Sequence, residues 1–277
     1  MSRWFSIFVD AMNQNSVYRI SVLAAVLEAF RYFRTKSFDD LLLVATKGGG
    51  IRRDAKEFAA RVDQEKLDRL RREYAGITRE DYAWVRYLSL DSDMYREVFR
   101  AKKYLLDNTP SGRILDLGTG PGYFPFVCKQ YGHDAIGVDI EEPLFARLAD
   151  IIETDRFVWP VTPQLAAPPF EGRFNTVTAF QVAFDNIVNR TDPAPWSTAD
   201  WRLFFCNLID RFVAEDGRIF MTGVRACTPS TAYYDEELVA FLKSINAKVV
   251  NGKITLIIDR QVRERLAGEI TRLNEPS

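Results

Sequence analysis

The chain of 277 residues is short of the side chains that usually carry redox, metal or acid–base chemistry. Its three cysteines, Cys128, Cys206 and Cys227, are far apart and never spaced C-x-x-C, so neither a disulfide framework nor a zinc site is implied, and no metal is expected. The single histidine, His133, lies in a Gly-His-Asp turn that is expected at the surface, at the amino end of a sheet, which nearly excludes a histidine base. An excess of one charge is also missing. The 37 Lys and Arg against 38 Asp and Glu are interspersed, so no nucleic-acid or anionic-membrane surface is advertised. No stretch reaches the roughly 18 consecutive apolar residues of a membrane span. The first residues lack the apolar region and cleavage site of a signal peptide, and a cytoplasmic protein is expected.

The residues that carry chemistry centre on 113 to 139. Ile114, Leu115 and Leu117 have the apolar density of a strand buried on both faces, and Gly118, Gly120 and Gly122 then break it into a tight turn. A helix from Phe124 to Gln130 follows, ended by Gly132, and Ala135 to Asp139 reads as the next parallel strand. In such a β-α-β unit, glycines at 118 and 120 let the backbone approach a ligand, and the N–H groups at the helix start favour an anion. Asp139, closing the second strand, is placed to accept from the two hydroxyls of a ribose. The unit asks for a nucleoside with an anionic arm. The dinucleotide fingerprint wants its third glycine where Tyr123 stands, so G-x-G-x-G departs from it.

Asp116, the run Gly118-Thr119-Gly120-Pro121-Gly122 and Asp139 together resemble motif one and the second acidic motif of the class I S-adenosylmethionine-dependent methyltransferases. The resemblance extends from about residue 93 to 258. It implies an α/β fold: a doubly wound, mostly parallel seven-stranded sheet with a terminal antiparallel hairpin, behind a helical amino-terminal extension. The boundaries expected are 1–92 for that extension and 93–277 for the Rossmann-like domain. The implied cofactor is S-adenosyl-L-methionine, with Asp116, Gly118, Thr119, Gly120, Gly122, Tyr123, Asp139, Ile140, Thr162, Phe180, Gln181 and Tyr95 as its candidate contacts. In the family the helix before the first strand lies beside the cofactor, which makes Tyr87 a candidate as well. Relatives commonly carry an acid after the third strand, where this chain offers only Val161, Thr162 and Gln164. Asn175 stands where many relatives have Asp.

In order, residues 16 to 34 read as a helix apolar almost all round, which must be covered by the core, by a second subunit, as a lid over the substrate or by shallow contact with a membrane. Gly48 to Gly50 reads as a flexible joint, and Thr78 with Asp81 as a capping box for a helix through Tyr87. Asp91 or Ser92 is expected to cap a helix from Met94 to Leu106. Strands are expected at 157–159, 174–180 and 217–224, helices at 142–153, 200–213, 233–246 and 261–273, and a hairpin turning at Asn251-Gly252. The end of the 174–180 strand falls at the topological switch point, making Gln181 and Phe184 candidates for facing the transferred methyl. Asp185, Asn186, Arg190, Asp192 and Trp196 either line an acceptor pocket or form a surface loop. Gln181, Asp185 and Tyr233 are the catalytic candidates, with Tyr234 beside the last. No N/D-P-P-Y sequence occurs, which disfavours base methylation. The expected acceptor is a small molecule methylated on O or N. A glycan or protein acceptor, a non-catalytic cofactor-binding protein and a nicotinamide oxidoreductase are the alternatives.

Overall fold

The computed structural model describes residues 38–186, 194–222, 236–250 and 253–274. The apolar helix expected at 16–34, Arg190, Asp192, Cys227, Tyr233, Tyr234 and the Asn251-Gly252 turn lie outside them. The chain divides into two compact units, Met1–Arg52 and Arg53–Ser277. Helix α1 (Phe38–Ala59) runs unbroken through Gly48, Gly49 and Gly50, where the sequence predicts a joint. Glycine lowers helix propensity by about 1 kcal/mol, but it keeps the N–H and C=O that the ladder needs.

Helix α2 (Gln64–Glu73) starts at Asp63, whose carboxylate accepts from Lys66 N. Thr78 and Asp81 do make the reciprocal capping-box bonds. Beyond them the chain winds into a 3-10 turn, Ala83–Leu88, instead of an α-helix. Three residues per turn put Trp84 and Tyr87 on one side, and both rings meet Phe145, at centroid distances of 5.0 and 5.3 Å. Helix α3 (Leu90–Lys103) begins before the predicted caps, with Asp91 and Asp93 in its first turn, where free N–H groups favour acids.

The second unit then alternates strand and helix: β1 (Arg113–Leu117), α4 (Tyr123–Gln130), β2 (Asp134–Asp139), α5 (Pro143–Ile152), β3 (Asp155–Val158) and β4 (Phe174–Phe180). A short pair, β5 (Asp185–Asn186) with β6 (Ala194–Pro195), precedes α6 (Thr198–Arg211), β7 (Val213–Thr222), α7 (Glu236–Ser244), β8 (Lys248–Val250), β9 (Lys253–Ile257) and α8 (Arg260–Asn274). The main sheet has seven strands in the order β3-β2-β1-β4-β7-β9-β8. Pairing is parallel from β3 to β7 and antiparallel for β9 against both neighbours. The doubly wound, mostly parallel seven-stranded sheet with a terminal antiparallel pair expected from the sequence is present, and Val250 pairs with Lys253. Strand β3 starts two residues earlier than predicted. Strand β7 starts four earlier, because a bulge between its pairings with Phe174 and Thr176 absorbs the polar residues before Arg218.

Side chains alternate across the sheet. Leu115, Leu117, Val138, Val177, Ala179, Ile219, Met221 and Leu256 join Phe204, Phe205, Phe241 and Val262 of the later helices in one buried core. The opposite face carries Asp116, Gly137, Thr178, Phe180 and Phe220. Phe180 packs edge-on to Phe124 of α4, and Tyr104, just after α3, stacks on both Phe180 and Phe220. Among the described residues no helix is long and apolar enough to cross a membrane.

Candidate functional site

Strands β1 and β4 are neighbours, yet their connections run in opposite directions along the sheet, which opens a crevice beyond their carboxyl ends. Into it comes the glycine turn. Gly118 N and Thr119 N both donate to Val138 O, at 2.9 and 3.1 Å, so the chain folds back over the end of β2. Gly118, Gly120 and Gly122 all hold left-handed backbone, with φ of 66, 60 and 90°. The turn is also crowded. A Cβ at Gly118 would lie 2.5 Å from Val182 and one at Gly122 2.4 Å from Thr154, whereas at Gly120 it would meet the Tyr87 ring at 3.5 Å. The space at Gly118, expected for a ligand, is therefore filled by the residue that follows Gln181. Gly120 faces Tyr87.

Asp139 joins the two halves of this crevice. Its Oδ2 accepts from Gly120 N at 2.6 Å and its Oδ1 from Ile140 N at 2.7 Å. Burial raises its pKa, and those two N–H groups and Arg156 oppose the rise. On the underside, register places Asp116 between Gly137 and Thr178. Asp116 is 4% exposed, and Thr178 Oγ1 donates to its Oδ1 at 2.6 Å. Burial pushes its carboxyl up to about 7 against the pull of that hydroxyl. Gly137 makes the turn possible in a second way, since a Cβ there would lie 2.6 Å from the Thr119 side chain.

The face of α3 toward this crevice is ionic. Glu97 is buried and accepts from Arg96 Nε at 2.7 Å and from Arg100 Nη1 at 2.8 and 2.9 Å. Burial opposes its charge, but Arg100 and Arg96 prevail and hold its pKa below the ordinary value. Arg96 also pairs with Asp93, whose carboxyl burial pushes up to about 6. Arg100 Nη2 donates to Gln181 Oε1 at 2.8 Å, and its guanidinium lies 5.0 Å from the Phe180 ring centre. Gln181 itself takes a left-handed φ of 61° while its N–H donates to Thr222 O.

The structure thus brings together Asp116, Gly118, Thr119, Gly120, Gly122, Asp139, Ile140, Phe180 and Gln181. Tyr123 sits beneath them, its hydroxyl donating to Tyr87 O at 2.7 Å. Tyr95 is half-buried on α3, roughly 160° around the helix axis from Glu97 at about 100° per residue. Thr162 opens a turn, its carbonyl accepting from Leu165 N. Phe184 and Trp196, candidates for the acceptor side, are 3% and 5% exposed and pack with Trp201 and Phe204 in the core, so they do not line the crevice. Asp185 has its backbone in β5, paired with Pro195. Asn175 has a structural partner, accepting from Arg113 N at 2.9 Å.

His133 corrects the sequence reading in one respect. It is buried, not a surface residue: Gly112 N donates to its Nδ1 and its Nε2 donates to Leu106 O at 2.7 Å. It does lie at the amino end of β2, away from the crevice. Arg100, Arg156, Thr178 and Val182 are neighbours of the crevice that the sequence does not single out. Thr178 alone carries a signal, as a hydroxyl inside an apolar strand at the position that register sets beside Asp116.

Residues 90–184 match the family model described as a methyltransferase domain. No curated protein matches the chain. Solved structures similar to it include the PH0226 protein of Pyrococcus horikoshii, 18% identical, over 64% of this chain and 81% of that one, with a TM-score of 0.34. The S-adenosylmethionine-bound amino pentose methyltransferase CalS10 of Micromonospora echinaspora is 15% identical, over 46% of this chain and 48% of its own, with a TM-score of 0.33. An O-methyltransferase family 2 protein of Planctomyces limnophilus, in complex with apigenin, is 16% identical over 67% and 63%, with a TM-score of 0.40. At these scores the three structures do not bear on what this chain acts on. The matched segment, about a third of the chain, runs from α3 through the glycine turn and Asp139 to the end of β4, so the crevice described above is built on the part of the chain that is similar to a methyltransferase domain.

Proposed function

We propose that this protein transfers the methyl group of S-adenosylmethionine to an oxygen or nitrogen of a small-molecule acceptor. The observation that carries the cofactor side is the Asp139 carboxylate. Each of its oxygens takes one backbone N–H, and each keeps a further lone pair for a ribose hydroxyl. Gly118, Thr119, Gly120 and Gly122 would carry the turn against the methionine arm, with Tyr123 and Ile140 flanking it. Asp116, beneath the turn, would face the ammonium of that arm, a cation that favours its charged form. Bound S-adenosylmethionine brings an already activated methyl group, so the protein's task is alignment, worth on the order of 7–11 kcal/mol. Gln181, held by Arg100 at the end of β4, would border the acceptor, with Asp185 and Tyr233 as candidate bases. Near-neutral charge and the absence of a base-methylation motif support a small-molecule acceptor over nucleic acid.

Calorimetric titration with S-adenosylhomocysteine tests the cofactor half, and micromolar binding is the expected result. Transfer of labelled methyl to a panel of phenols, carboxylates and amines, run beside protein and glycan acceptors, tests the other half. Label appearing only in protein or glycan would overturn the small-molecule reading.

A further inference from the structure

Arg156 stands on β3 in register with Gly137 of β2. The Thr119 side chain fills the space above Gly137, and from the neighbouring strand the Arg156 side chain reaches the turn. Its Nε donates to Gly120 O at 2.7 Å and its Nη2 to Ile140 O at 2.5 Å. Those carbonyls belong to two separate segments, the glycine turn after β1 and the residue that follows Asp139. They are also the residues whose N–H groups Asp139 holds. Gly120 and Ile140 are each gripped at both peptide groups, the N–H by the acid and the C=O by the base. The Phe145 ring, 5.6 Å from the guanidinium carbon, limits how that plane can tilt.

We propose that Arg156 is a positioning residue of the cofactor site, clamping the glycine turn to Ile140 at the separation from which Asp139 can take both ribose hydroxyls. The inference rests on the cofactor reading above and adds the residue that pre-organises it. Arginine is required because Nε and Nη2 lie on one rigid edge and reach two acceptors at once; the single ammonium of lysine does not reproduce that fork.

The test compares the full chain with R156K, R156Q and, as a control, R147Q, which loses an exposed pair with Glu73. S-adenosylhomocysteine titration and amide hydrogen exchange are read on each. R156Q is expected to raise Kd roughly tenfold to hundredfold, since two charge-assisted bonds are lost. R156K should fall between it and the wild type, and R147Q should match the wild type. In the unliganded R156Q chain, exchange at Gly120 and Ile140 should quicken while α6 keeps its protection. Wild-type affinity in R156Q and R156K overturns the inference. So does a quickening spread evenly over the fold, which marks a merely structural role. Should R156Q fail to fold, R156K carries the same two readouts. A wild type that does not bind sinks the cofactor reading instead, and the exchange comparison still decides whether the clamp exists.

Discussion

Replacing Asp139 by Asn removes one charge and turns one carboxylate oxygen into a donor. In the wild type both oxygens are acceptors, engaged by Gly120 N at 2.6 Å and Ile140 N at 2.7 Å. Whichever way the amide is oriented, an NH2 group then faces a backbone N–H, so one of the two bonds is lost outright and the other loses its charge. A hydrogen bond to a charged group is worth about 1.5–3 kcal/mol, and the low end applies because Asp139 is partly exposed. Asp139→Asn should therefore bind S-adenosylhomocysteine about tenfold more weakly on the loss at the turn alone, and weaker still where the ribose loses an acceptor. Asp139→Ala, which removes both acceptors, should bind less than Asp139→Asn. Calorimetry at a temperature where all three proteins are folded gives the comparison, and near-ultraviolet circular dichroism verifies folding. An Asp139→Asn protein with wild-type affinity would refute both the carboxylate's role and the argument from its two bonds.

Asp116 predicts a pH dependence. Its folded pKa of about 7 lies above the unfolded value of 3.8, so the folded state favours the neutral carboxyl. No cost arises below about pH 4, and stability falls as pH rises toward 7, by at most about 4 kcal/mol at 1.36 kcal/mol per unit. Asp116→Asn keeps the acceptor for Thr178 without the charge, so in the unliganded protein it should match the wild type near pH 4 and exceed it near pH 8 in urea melts; parallel pH profiles would contradict this. Gly137→Ala sets a methyl 2.6 Å from Thr119 and should cost about 1–3 kcal/mol, with weakened S-adenosylhomocysteine binding, both read by thermal melts with and without the ligand. His133→Ala leaves Gly112 N and Leu106 O without their partner and should destabilise by about 1–3 kcal/mol while leaving ligand affinity unchanged; a loss of affinity would place His133 in the site.

Local signals in the sequence settled the order of elements and the segments that build the crevice. Apolar runs interrupted by glycine are short-range features. So the strand before Gly118, the turn, the strand ending at Asp139 and the closing antiparallel pair were all legible, because backbone preference and burial on both faces act within a few residues. Tertiary structure decided what these residues touch. Sequence could not show that Val182 fills the space above Gly118, that Phe184 and Trp196 turn into the core, or that His133 is buried between two backbone groups. It equally could not show that the glycine triplet continues a helix, since glycine weakens a helix without forbidding it. Nor could it reveal Arg156, which is ordinary in its strand and meets the Gly120 and Ile140 carbonyls only once the strands are assembled side by side. Register and packing join residues far apart in the chain, and no local preference encodes which of them meet.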